Sequence, residues 1–254
     1  MLKDLIRMWK KIDLLKESFE QFLSMIDMVE QMFRCSTDAL FGARKCANAR
    51  GTLFKTDISV NKTERHIRKN LVEHLAVNPR ADAPACLILM SASKDVERAG
   101  DYCKNLLEVA DMLKTPAMET AYGEDLREMA DLVTAGFAKT RTAFAEENHT
   151  VAHNVIVEET QIAKRSDAMV EKVANDESLD ANQAVCLALA FRFLKRVNAH
   201  LGNVASSVVM PLHKIDYFDE KWKRDHNEDA VERRLPQADN DPADGDENTE
   251  GEEE

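Results

Sequence analysis

The chain has 254 residues and a formal net charge of −12 at pH 7. Nine acidic residues and no Lys or Arg lie in 237–254, which leaves −3 for the rest. A near-neutral body argues against nucleic acid as the main partner. With only 8 Gly and 6 Pro, the composition is helical and long enough to bury a sizeable core.

Residues 2–46 carry one long helical pattern, with Leu2, Leu5, Trp9, Ile12, Phe19, Phe22, Leu23, Ile26, Val29, Phe33 and Leu40 on its apolar side. Gly51 is expected to break it. A second helix opens near Asp57, runs through Ile58, Val60, Ile67, Leu71 and Leu75, and stops at Asn78-Pro79. A third extends from about Ala83 to Leu113 and ends before Pro116. On its polar side Glu97, Asp101, Asn105 and Glu108 share a narrow arc, because steps of four and three nearly complete turns. Ala99 and Gly100 beside them leave room for a neighbouring helix.

The pattern then starts again. Met25-Ile-Asp27-Met28-Val29-x-x-x-Phe33 matches Met129-Ala-Asp131-Leu132-Val133-x-x-x-Phe137 at an offset of 104. Asp57, Val60, Ile67 and Leu71 match Glu159, Ile162, Met169 and Val173 at an offset of 102. Arg98 and Asn105 match Arg196 and Asn203 at an offset of 98. The expectation is an all-α tandem duplication of a three-helix unit, 1–115 and 118–219, packed as antiparallel helices. The last helix runs from about Asn182 to Val209 and stops at Pro211. A short docked segment follows at 216–224. Residues 220–254 are expected to form a linker and a disordered acidic tail.

Five scattered cysteines, Cys35, Cys46, Cys86, Cys103 and Cys186, give neither a C-x-x-C motif nor a disulfide framework, and they suit a reduced, cytoplasmic compartment. No signal peptide or membrane-spanning run is expected. The first dozen residues extend the bundle core or lie on an anionic membrane surface. His149 and His153 share a helical face but lack the H-E-x-x-H pattern of a zinc protease and read as structural or solvated. No nucleophile–base constellation is readable, so no enzyme is expected.

Glu97 and Asp101 on adjacent turns give two oxygen ligands for a hard metal, Asn105 a weaker third, and Asp57 a fourth if its helix faces the same side. The same residues also fit an ion-paired solvated face, with Asp101–Lys104 and Lys104–Glu108 at helical spacings. Arg98 and Arg196 fit an inter-helix ion pair holding the repeats, or an anion or partner contact.

Glu97-Arg-Ala-Gly-Asp101-x-x-x-Asn105 resembles the Glu-Arg-Ile-Gly-Asp-x-x-x-Asn signature of the PhoU family. Asp57-x-x-Val60-Asn61 resembles that family's second-helix pattern, and the likeness covers most of 12–215. The resemblance implies a six-helix PhoU-like bundle and a cytoplasmic, non-enzymatic regulator of phosphate uptake and signalling. It implies a phosphate transporter or sensor histidine kinase as partner, a homodimer at most peripheral to the membrane, and iron or another divalent metal held through E-x-x-x-D motifs. The second copy departs from the signature: Lys195 and Ala199 replace its two acids, and only Arg196, His200 and Asn203 keep the pattern.

Overall fold

The computed structural model describes residues 2–42, 49–77 and 82–215, with side chains from residue 14 onward in the first stretch and from residue 50 in the second. Among them are six α helices: α1 (Leu2–Leu40), α2 (Ala49–Leu75), α3 (Ala83–Met112), α4 (Gly123–Ala145), α5 (His149–Ala174) and α6 (Ala181–Val209). Short 3-10 turns stand at Ala117–Glu119 and Leu212–Lys214, and the described residues contain no strand. The chain is all-α, and its helices fall into two sets of three in the same order.

Two expected boundaries are corrected. The first helix stops at Leu40 rather than continuing towards Gly51. Phe41 N–H donates to the Thr37 carbonyl and Gly42 turns the chain away at φ 76°, a left-handed conformation that glycine adopts without penalty. Gly51 does not break a helix but lies in the first turn of α2, which begins eight residues before Asp57. Leu53, Val60 and Ile67 repeat every seven residues and are all buried, and their burial outweighs the roughly 1 kcal/mol propensity cost of one glycine. Other ends follow their sequence signals. Asn148 accepts from Val151 N–H at the start of α5, and Asp180 and Gln183 form a reciprocal capping box on α6.

The expected stop at Asn78-Pro79, Cys46, the side chains of the first helical turns, the segment 216–224 and the acidic tail lie outside the described residues.

Helices α1, α3, α6 and α4 pack in a closed ring, each against the next, and α4 returns to α1. Helix α2 lies against α1 and α3, and α5 against α4 and α6. The two repeats therefore share one core. Where α1 meets α4, Phe33 faces Phe137 at 5.6 Å between ring centroids, and Phe22 faces Phe144 at 4.5 Å. Residue numbers fall along one helix as they rise along the other, so the pair is antiparallel. Phe33 and Phe137 are equivalent positions of the two repeats, which places a local two-fold axis between them.

The third helices cross at the same axis. Tyr102 and His200, again equivalent, stack at 5.7 Å, and Tyr102 also meets Phe193 at 6.0 Å. Within each repeat the first and third helices approach closely at a glycine. Gly100 on α3 lies against Met32 and Val29, and Gly136 on α4 lies against Leu201 and Asn198.

Candidate functional site

Helix propensity and the apolar stripe Ala92, Val96, Ala99, Cys103 and Leu106–Leu107 bury one side of α3. Glu97, Arg98, Asp101, Asn105 and Glu108 are left at or near the surface. Helix α2 packs beside them with Asp57 turned towards α3, a relation the sequence left open. Lys104 Nζ stands 2.8 Å from Asp101 Oδ1 and 2.9 Å from Asp57 Oδ1. The Lys104 side chain is 22% exposed, that of Asp57 14% and that of Asp101 37%, so the Asp57 side of this cluster is shielded from water and the Asp101 side is open to it. Asn61 Nδ2 donates to the other Asp57 oxygen at 3.3 Å.

Burial opposes the charge on Lys104, but hydrogen bonds from its ammonium to Asp101 and Asp57 outweigh that effect. Its pKa is raised above the ordinary lysine value, so the group is cationic throughout the physiological range. Glu97 belongs to a different pair, accepting from Lys94 Nζ at 2.5 Å. Glu108 is exposed and is not the partner of Lys104. The four side chains expected to surround a metal thus converge only in part. Asp57 and Asp101 are brought together, with an ammonium group between them. As they stand they do not fit a divalent cation, and the described residues hold no cluster of three or more His, Cys, Asp or Glu placed for one.

Arg98 and Arg196 are both exposed and neither forms an ion pair with another described residue. The expected inter-helix pair is therefore absent there. They leave two guanidinium groups on the surface at equivalent points of α3 and α6. On α6 the basic residues Arg192, Lys195 and Arg196 have no acid on their own helix. Asp167 of α5 accepts from Arg192 at 3.0 Å and from Lys195 at 2.6 Å.

His200 and Asn203 point inward. Both meet one oxygen of Asp95 on α3, His200 Nδ1 at 2.8 Å and Asn203 Nδ2 at 2.9 Å. Asp95 is 8% exposed. A carboxylate only accepts, so His200 Nδ1 carries the proton in this pair. Sequence reasoning missed Asp95, although an acid between Ala92, Val96 and Ala99 in an apolar stripe was the available signal. The position equivalent to Asp95 is Phe193, and that to His200 is Tyr102. The clasp between the third helices is therefore polar on one side of the axis and aromatic on the other.

His149 opens α5 and borders an apolar cavity of about 510 Å³ lined by Leu15, Phe19, Ile88, Phe144 and Val208. Cys103 is fully buried elsewhere in the core, and burial pushes its thiol well above the ordinary range, which suits a packing role rather than a reactive one. No described helix is long and apolar enough to cross a membrane.

The PhoU domain family model matches this chain twice, at residues 22–110 and 126–208. Among curated proteins the chain is 25% identical, over 196 residues, to the phosphate-specific transport system accessory protein PhoU homolog of Deinococcus radiodurans, covering 73% of this chain and 88% of that one. Among solved structures it is similar to PhoU from Pseudomonas aeruginosa, with a TM-score of 0.69 at 19% identity, over 78% of this chain and 96% of that one. The phosphate transport system regulatory protein PhoU from Streptococcus pneumoniae is similar to the same degree, with a TM-score of 0.69 at 20% identity over 77% and 93%. These two likenesses establish the fold.

Proposed function

The chain belongs to the PhoU domain family, and from that membership we propose that it is a cytoplasmic regulator of phosphate homeostasis. In this reading it restrains phosphate transport and phosphate-starvation signalling by protein contact. The observation that carries the proposal is the double family match, each copy falling on one three-helix repeat. Its partners are a phosphate transporter, a sensor histidine kinase or both, and it acts as a homodimer. The exposed faces of α3 and α6, where Arg98 and Arg196 are free to meet carboxylates of another protein, are the contact surface.

Deleting the gene in its source organism is expected to raise phosphate uptake and to switch on phosphate-starvation genes in phosphate-rich medium. Uptake and expression unchanged from wild type would refute the reading. A second reading is favoured by the acid-free, basic face of α6: an adaptor for a different transporter. Recovery of another transporter's subunits by the tagged chain, with phosphate uptake intact in the deletion strain, would favour that one.

A further inference from the structure

We infer that Lys104 is a built-in substitute for a bound cation, its ammonium neutralising Asp57 and Asp101 and coupling α2 to α3 without a metal. Three observations support this. The first is geometric. One nitrogen lies within 2.9 Å of an oxygen from each of two helices, as a shared cation would. The second is shielding. Asp57 is 14% exposed, and a shielded carboxylate held beside a second one, Asp101, requires a counter-charge. A lysine tethered on α3 supplies it at no entropic cost of capture from solution.

The third comes from the other repeat, which serves as an internal control. The position equivalent to Asp101 is Ala199, that of Asp57 is Glu159, and that of Lys104 is Gly202. Where the carboxylate on the third helix is gone, so is the ammonium. Gly202 is buried, and the lysine that α6 does carry, Lys195, goes to Asp167 instead. The presence of the cation therefore tracks the presence of the acid pair within a single chain. The consequence is that the α2–α3 contact of the first repeat is fixed in its charge-neutral form, and divalent metal concentration is not an input to it.

The test compares the full-length wild type with Lys104→Ala and Lys104→Gln, each stripped with EDTA and then titrated with Mn²⁺ by calorimetry and thermal melting. Wild type is expected to take up no Mn²⁺ at this cluster and to keep its Tm. Both variants should melt lower in EDTA, by on the order of 5 °C, and recover most of that loss on adding Mn²⁺. Lys104→Gln keeps the stem length and serves if Lys104→Ala does not fold. Adding Asp57→Asn to either variant should abolish the recovery, separating this cluster from other acidic groups. Stoichiometric Mn²⁺ uptake by wild type that Asp57→Asn removes would overturn the inference. Variants whose Tm ignores Mn²⁺ would also overturn it.

Discussion

At the scale of single residues, Asp95 differs most from what its surroundings lead one to expect. A carboxylate inside an apolar stripe is tolerated only because His200 and Asn203 reach it from another helix. Removing it leaves two donors facing a partly closed interior without an acceptor. Asp95→Ala should therefore destabilise the chain by about 1–3 kcal/mol, read as a lowered urea midpoint with an unchanged slope. A midpoint equal to wild type would mean that water replaces the carboxylate. The candidate site was legible at this scale only by position. Helical spacing put Glu97 and Asp101 on one face and identified Lys104 as a competitor. Spacing along one helix carries no information about the side chain arriving from a second helix. That is why Asp57 as the partner of Lys104, and Asp95 as that of His200, emerged only with the fold.

At the scale of elements, helix type and order were legible because burial of a stripe imposes a period that polar loops lack. Boundaries were less so. Gly51 was expected to end a helix, whereas Gly42, with its positive φ and the ring of Pro116 beside it, is the glycine that does. Only the surroundings of each glycine separate the two. The same surroundings predict opposite outcomes for two substitutions. A Cβ on Gly100 would meet Met32 and Val29 at 3.5 Å, an ordinary contact. Gly100→Ala should stabilise the chain by about 0.4–1 kcal/mol through the lost freedom of the unfolded backbone. A Cβ on Gly123 would come within 2.5 Å of the Ala117 carbonyl and 2.7 Å of Met118 Cα. Gly123→Ala must move backbone and should cost about 1–3 kcal/mol. Urea denaturation of both variants beside wild type distinguishes the cases, and equal midpoints for the two would contradict this account of the packing.

At the scale of the molecule, the duplication was legible from offsets of 104, 102 and 98 residues, but the way the copies meet was not. Nothing in a repeat announces that its own equivalents, Phe33 with Phe137 and Tyr102 with His200, will face each other. Because the ring of α1, α3, α6 and α4 takes two helices from each copy, neither copy can close its apolar faces alone. Unfolding of the six helices should be a single cooperative event. Far-ultraviolet circular dichroism and hydrogen exchange of helices from both copies are expected to give coincident midpoints. Two separated transitions would mean that the copies are independent.

The two close approaches between first and third helices also have a bearing on how the chain avoids assembling wrongly. In the first copy the small partner is on the third helix, Gly100 against Met32; in the second it is on the first helix, Gly136 against Asn198. These are equivalent positions with the sizes exchanged. A first helix of one copy that sought the third helix of the other would set Met32 against Asn198, bulk on bulk. The reciprocal mismatch would set Gly136 against Gly100 and leave a void. Two halves of a nascent chain with the same fold are thus kept from trading helices, and each glycine acts as an address that only its own copy can answer.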